Sequence, residues 1–376
     1  MKDLSELRKE IDVVDSKIVD LFEKRMDLST EVAEYKIENG KEVFDKNREE
    51  EKLESLKSLA RNDFNGKSVV ELFTQIMGIS RKLQYKILIE RGHVGEIPFK
   101  AVEELNKEDV RVIFQGTNGA YSQQAMIKYF GSSVNSYNVQ TFRDAMTALK
   151  DQKADYAVLP IENSSAGIVN DIYDLLVEFD NYIVAETFVK VEHALLVLEG
   201  TELEDIKTVY SHPQALMQCS KFLEKHKDWQ VISQQNTAVS AVKVTNEKDK
   251  SQAAIASVLA GELYGLKILE HNIQNNNENT TRFIIVSNKK IFKRNSNKIS
   301  VYFELPHSSG TLYNMLSHFI YNNLSMTKVE SRPIEGRNWE YRFFVDFEGN
   351  LSDSGVKNAL RGIATEAKDF KILGNY

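Results

Sequence analysis

Residues 4–35 read LSELRKEIDVVDSKIVDLFEKRMDLSTEVAEY, with apolar side chains at Leu4, Leu7, Ile11, Val14, Ile18, Leu21, Leu28, Val32 and Tyr35. Steps of three and four over so long a run predict one amphipathic α-helix. At 1.5 Å per residue it would be about 48 Å long. A helix longer than a small domain is wide has no core of its own chain along much of its stripe, so the pattern predicts pairing with a second copy. Gly40 ends this helix, Asp45 caps a second over about residues 46–61, and Asn62-Asp63 with Asn65-Gly66 makes the next turn. A third stripe, Val69, Phe73, Ile76, Leu83 and Ile87, completes an all-α, three-helix domain over residues 1–91.

Beyond Arg91 the period fades, and Gly92, Gly95 and Pro98 mark a connecting segment. Short apolar runs then alternate with helical patterns: Val112-Ile113-Phe114, Tyr156-Ala157-Val158-Leu159, Ile183-Val184-Ala185, Ala194-Leu195-Leu196-Val197 and Phe283-Ile284-Ile285-Val286. This texture predicts an α/β domain over residues 109–289. A polar, basic stretch from Lys289 to Asn297 forms the second boundary. Residues 298–376 read strand (299–304), helix (311–321), strand (325–331), strand (341–347), helix (354–367) and a short strand. That βαββαβ order is the ferredoxin-like α+β signature.

Composition excludes several classes of function. A net charge of −7 over 376 residues leaves no footprint for a polyanion, so nucleic acid is not an expected partner. No apolar run approaches the roughly 20 residues of a membrane span, and the charged start Met1-Lys2-Asp3 lacks a signal peptide's apolar core. The expected address is cytoplasmic, with no membrane partner. One cysteine, Cys219, and seven scattered histidines supply neither a disulfide nor metal-ligand spacing, so no metal is expected. The glycine loop Gln115-Gly116-Thr117-Asn118-Gly119-Ala120-Tyr121-Ser122 follows a strand and opens a helix, which makes it either an anion seat or a structural turn. It fits no dinucleotide or nucleotide fingerprint, and no cofactor is expected.

In the helical domain two polar residues interrupt the stripes. Arg25 stands between Leu21 and Leu28, and Ser80 between Ile76 and Leu83. A buried guanidinium needs an anion. That anion is either an internal ion-pair partner or a bound dianion, since Arg8, Arg25, Lys36 and Arg48 can all be turned towards one bundle interior. Arg8 and Arg25 are 17 residues apart, about 25 Å along a straight helix, so a small ligand touching both would be shared between protomers.

With their intervening spacings, Arg8, Arg25, Lys36, Asp45, Arg48, Glu49, Ser80 and Gln84 resemble the all-helical chorismate mutase family. A Claisen rearrangement suits such a site, because it needs a compact conformer and stabilised charge on an ether oxygen rather than an acid, base or nucleophile. The resemblance implies that Arg25 of one chain and Arg8 of its partner hold the two carboxylates of chorismate, with Arg48 assisting. It also implies that Lys36 and Gln84 donate to the ether oxygen. Glu49 would accept from the ring hydroxyl, supported by Asp45 and Ser80.

In the α/β domain the polar strings sit at strand ends, where ligands bind in open sheets. They are Leu159-Pro160-Ile161-Glu162-Asn163-Ser164-Ser165-Ala166-Gly167, Tyr210-Ser211-His212-Pro213-Gln214 with Gln218-Cys219, and Thr280-Thr281-Arg282-Phe283. Singly each reads as a turn or helix cap. Together they resemble the prephenate dehydratase family, from Val110 to Asn288, which implies a two-lobed, periplasmic-binding-like fold. By that resemblance Thr281 donates to the departing hydroxyl, Asn163, Ser211 and Gln218 line the pocket, and Arg282 holds a carboxylate of prephenate. Glu162 is either catalytic or a salt bridge between lobes. Gln123 stands where many members carry His, and Gln235 falls where some carry an acid. His193, His212 and Cys219 read as packing residues.

In the last segment Glu330-Ser331-Arg332-Pro333 follows a strand, and Gly310-Thr311-Leu312-Tyr313 opens the preceding helix. Both resemble the effector motifs of ACT domains in phenylalanine-regulated dehydratases, from which Thr311 and Tyr313 depart. The resemblance implies that phenylalanine binds there, with Trp339 and Pro333 against its ring. The bland alternative for Arg332 is pairing with Glu335. The chain as a whole resembles the bifunctional chorismate mutase/prephenate dehydratases, which implies two consecutive reactions, feedback by phenylalanine, and a homodimer or higher oligomer. A vestigial mutase arm and a non-catalytic sensor are the alternatives that this reading competes with.

Overall fold

The computed structural model describes residues 3–93, 97–308, 310–334 and 336–376, so Gly95, Glu335 and the first two residues lie outside the description. The chain divides into two compact units, Met1–Pro98 with Asn297–Ile372, and Phe99–Ser296 with Leu373–Tyr376. The helical and C-terminal segments, read from the sequence as separate domains, thus share one unit.

In the first unit α1 spans Leu4–Glu38, α2 Lys46–Ser58 and α3 Asp63–Glu90. Asp3 caps α1 by accepting the amides of Ser5 and Glu6, and Gly40 follows its end at φ +60°. Asp45 caps α2 through the amide of Arg48. The expected turn at Asn65-Gly66 is absent. Asn62 accepts the Asn65 amide and starts α3 there, so the cap prevails over the Asn-Gly turn signal and Gly66 is buried in the helix against Lys57. The bundle core is small, with Val43, Tyr85 and Leu88 backed by Ile37. Only Ser29 and Ala33 of α1 are buried. Leu7, Ile11, Val14, Ile18, Leu21 and Leu28 are exposed, Leu21 to 68%.

The C-terminal part follows the expected order. Strands Met326–Pro333, Tyr341–Glu348, Lys298–Glu304 and Asp369–Asn375 lie side by side in that sequence. The first three are antiparallel, with Lys298 opposite Glu348 and Pro333 opposite Tyr341. Helices Thr311–Tyr321 and Ser354–Glu366 pack on each other and on α3.

The second unit is two lobes. In the first, the strands run in the order Tyr182–Lys190, Thr280–Ser287, Tyr156–Asn163, Arg111–Gln115, Asn135–Val139. In the second they run Lys267–Glu270, Ala194–Val197, Gln252–Ala256, Thr208–Ser211, Gln230–Ser233. Central strands buried on both faces explain the continuous apolar runs in the sequence. The chain crosses between lobes around residues 191–193 and 271–279. Both segments read as structureless connectors carry a strand: Lys100–Val102 pairs in parallel with Ile291–Lys293. Three residues flanked by charges give no period to read, and only the buried Phe292 marks the pairing.

Candidate active sites

In the helical bundle α1 and α3 bring Arg25 to Ser80. Its guanidinium donates to Ser80 Oγ and, at 3.5 Å, to the Ile76 carbonyl. Burial lowers the Arg25 pKa against the pull of Glu49. Lys36 Nζ donates to the Val43 carbonyl at 2.6 Å. Burial lowers its pKa too, with Asp45 and Glu49 opposing. Gln84, one turn beyond Ser80, is buried with Oε1 unpaired. An orphaned acceptor of this kind costs about 1 to 3 kcal/mol unless a ligand or water fills it. The chain therefore gathers Arg25, Lys36, Asp45, Glu49, Ser80 and Gln84. Arg8 and Arg48 remain exposed, Arg8 on the first turns of α1. Sequence reasoning missed Arg81. A basic residue beside a site residue reads as solvated, yet this one is 6% exposed, with NH1 2.5 Å from Glu49 Oε2.

In the two-lobed unit Thr281 and Asn163 face each other across the strand ladder. Asn163 Nδ2 donates to Thr281 Oγ1 at 2.9 Å and to Asn279 Oδ1 at 2.9 Å, while Asn163 Oδ1 accepts the amides of Ser165 and Ala166. Since Thr281 Oγ1 accepts from an amide, its own hydroxyl proton is left to donate elsewhere. Nearby lies a cleft lined by Ser165 and Asn279 on one side and by Gln214, Gln218 and Gln274 on the other. These groups are neutral hydrogen-bonding side chains, suited to orienting carboxylates without a strong base.

Gln218 Oε1 is 2.9 Å from His193 Nε2, and His193 Nδ1 is 3.0 Å from the Tyr121 hydroxyl. Burial lowers the His193 pKa, against the Gln218 contact, which disfavours the charged ring. His193 is thus a hydrogen-bonded support for Gln218 rather than packing alone. His212 accepts the Gln214 amide and caps the helix Pro213–Gln218. Cys219 is fully buried, and burial pushes its thiol up to about 12, which leaves it unreactive.

Of the expected residues Gln218 lines the cleft, and Asn163 and Thr281 join it through Asn279, while three others make their contacts elsewhere. Ser211 is fully buried and its hydroxyl goes to the Ile255 carbonyl at 2.6 Å. Arg282 follows Thr281 on the strand and so points to the opposite face. There its Nε donates to Glu186 at 2.7 Å and its NH2 to the Tyr376 hydroxyl at 2.7 Å. Glu162 lies 3.7 Å from Arg282, an ion pair inside the first lobe rather than between lobes. The glycine loop is a structural turn that clasps the second lobe. Gly119 N donates to Gln123 Oε1, Ser257 Oγ donates to the Gly119 carbonyl, and Tyr264 donates to that of Asn118.

In the C-terminal part Gly310 sits at φ +80° before the helix Thr311–Tyr321. A small pocket there is lined by Leu305, His307, Thr311, Leu312, Trp339 and Tyr341. Trp339 is where the sequence expects an aromatic contact. Glu330, Ser331, Arg332 and Pro333 instead run along the strand Met326–Pro333, outside that pocket. The alternative partner of Arg332, Glu335, is outside the description.

The prephenate dehydratase family profile matches residues 112–291 and that of chorismate mutase type II residues 7–85. A bifunctional chorismate mutase/prephenate dehydratase of Escherichia coli (strain K12) is 34% identical over 98% of this chain and 95% of its own length. A solved structure described as GqqA, a novel type of quorum quenching acylase, shares 32% identity with a TM-score of 0.64. It covers 71% of this chain and 97% of its own. The prephenate dehydratase of Arthrobacter aurescens, solved in complex with L-Phe, shares 28% with a TM-score of 0.66, over 71% of this chain and 89% of its own. A helical mutase domain joined to a two-lobed dehydratase domain is the class these features define. The chain belongs to the bifunctional chorismate mutase/prephenate dehydratase family and is an enzyme with both activities.

Proposed function

We propose that the chain converts chorismate to prephenate in the helical bundle and prephenate to phenylpyruvate in the cleft between lobes, and that phenylalanine acts on it through the C-terminal domain. The bundle works by conformation and charge. Arg25, with Arg8 of a partner and Arg48, holds the substrate carboxylates. Lys36 and Gln84 meet the ether oxygen as its bond to the ring breaks, and Glu49 accepts from the ring hydroxyl. The uncovered stripe of α1 supports a homodimer, because exposed apolar contiguity on this scale marks an interface.

In the cleft, loss of carbon dioxide leaves its bonding pair to the ring, and the hydroxyl departs as the ring becomes aromatic. The departing oxygen needs a proton donor, and no base is required. The observation that carries this reading is the Asn163 to Thr281 hydrogen bond, which frees the Thr281 hydroxyl to donate. Gln218, steadied by His193, orients the substrate. Ser211 and Arg282 then act as supports, Ser211 by fixing the strand end and Arg282 by fixing the far face. Thr281→Ala is expected to lower dehydratase kcat by about 100-fold, the usual weight of one positioned proton donor, with mutase turnover unchanged as the internal control. Dehydratase turnover at the parental rate would refute the assignment.

The ACT-like order of elements, the Gly310 helix start and the L-Phe complex of the Arthrobacter relative support phenylalanine as effector. The Glu330 to Pro333 edge would complete the site against a second copy. Titration calorimetry should show phenylalanine binding that weakens in Gly310→Val. An absence of heat with the parent chain would remove the effector assignment.

A further inference from the structure

Arg81 sits between two carboxylates that come from different ends of the chain. Its NH1 lies 2.6 and 2.5 Å from the two oxygens of Glu49. Its Nε lies 2.8 Å from Glu366 Oε1 and its NH2 3.3 Å from Glu366 Oε2, the parallel two-point geometry of a guanidinium on a carboxylate. The Phe44 ring covers the guanidinium, 4.9 Å from its carbon. Glu366 is the last residue of the helix Ser354–Glu366, and its Oε1 is also 3.2 Å from His318 Nε2 on the helix Thr311–Tyr321.

One glycine permits this array. A Cβ on Gly362, one turn before Glu366, would stand 2.4 Å from the His318 ring. Beside the array Lys82 donates to Ser317 Oγ at 2.6 Å and lies over the Tyr321 ring at 4.5 Å. A charged seam, buried at Arg81 and Glu366 and part-exposed at Glu49, therefore runs from the mutase carboxylate Glu49 through Arg81 to both helices of the C-terminal domain.

We infer that Arg81 is a positioning residue for Glu49 in the mutase reaction, and that Glu366 of the C-terminal domain sets how tightly Arg81 holds it. The inference rests on the reading that Glu49 accepts the substrate's ring hydroxyl. A guanidinium divided between two carboxylates presents each with part of its charge and fixes the orientation of both. If Glu366 loses its charge, Arg81 concentrates on Glu49, and that carboxylate becomes a poorer acceptor for the substrate. Motion of the helix Ser354–Glu366 acts in the same way, so the C-terminal domain reaches the mutase site through a single side chain.

The test uses the full chain and its Glu366→Gln, Arg81→Lys, Arg81→Met, Glu366→Gln/Arg81→Met and Glu49→Gln variants. Mutase kcat and KM are measured, with dehydratase turnover of the same samples as the control for folding. Glu366→Gln keeps shape and an acceptor for Arg81 Nε. It is expected to raise mutase KM about tenfold, as loss of a charge-assisted contact does, with dehydratase kcat within twofold of parent. In the Arg81→Met background the same change should add nothing. Arg81→Lys, which keeps the charge and loses the bridge, should behave like Glu366→Gln. An unchanged KM in Glu366→Gln, equal losses in both activities, or multiplying effects in the double variant would overturn the inference. Normal mutase kinetics in Glu49→Gln would instead remove the reading beneath it.

Discussion

Asn163 uses every polar atom of its side chain within a few residues of the proposed proton donor. The amide hydrogens fix Thr281 and Asn279, and the carbonyl fixes the loop that follows. Asn163→Asp offers Thr281 an acceptor instead of a donor, so the Thr281 proton turns away from the substrate. Dehydratase kcat should fall about 100-fold with little change in KM, the signature of a contact made in the transition state, as steady-state assays with prephenate would show. Gly119 is limited by space and conformation together. It sits at φ +87°, and an added Cβ would come within 2.9 Å of the Ala260 backbone in the other lobe. Gly119→Ala should cost about 1 to 3 kcal/mol of stability, as urea unfolding would show.

Glu366 gives a prediction in pH. Burial would raise its pKa, but the His318 contact and the charge of Arg81 prevail and bring it from 4.5 down to about 2. Between those values the unfolded state binds more protons. The stabilisation is therefore complete above pH 4.5 and lost as pH falls towards 2. Glu366→Gln lacks this dependence. Urea unfolding of the first unit should show the gap between parent and variant, on the order of 3 kcal/mol at pH 7, narrowing by pH 3. At the same scale, Thr281 and Asn163 stand out in the sequence because short polar strings open one strand and close the other. Arg81 is not legible, because nothing in a helical pattern says that a helix from the far end of the chain covers that face.

At the scale of elements, the long helix and the βαββαβ order are legible because each stripe or run has one period over its full length. What escapes is short or settled by competition. The ribbon of Lys100–Val102 with Ile291–Lys293 is three residues on each side, and Asn65-Gly66 enters α3 because Asn62 caps it. The exposed stripe of α1 is the element with most left to bury. Each of Leu7, Ile11 and Ile18 brings about 1.5 to 3 kcal/mol when covered. If α1 pairs with a second copy as proposed, Ile11→Glu with Ile18→Glu should dissociate that dimer by light scattering. On the proposed reading, in which Arg8 comes from the partner, mutase activity should vanish with it while dehydratase activity persists. Retained mutase activity in a monomer would show that one chain completes its own site.

At the scale of the whole molecule, the proposed reading joins two strategies in one chain. The bundle would meet a rearrangement with fixed cations, and the cleft an elimination with hydrogen-bonding amides and one hydroxyl. Neither needs a strongly shifted base, in keeping with burial that disfavours the charged form of His193 and leaves Cys219 unreactive. The changes of period that mark segments along the chain are legible in the sequence. The merging of the first and last into one unit is not, because it depends on Arg81 and Lys82 finding partners more than 230 residues away.

The most direct test supplies the purified chain with chorismate and follows chorismate, prephenate and phenylpyruvate together, with and without phenylalanine. The account predicts transient prephenate, then phenylpyruvate, and a lower phenylpyruvate rate when phenylalanine is added. Prephenate accumulating without phenylpyruvate, or chorismate left intact, would contradict it.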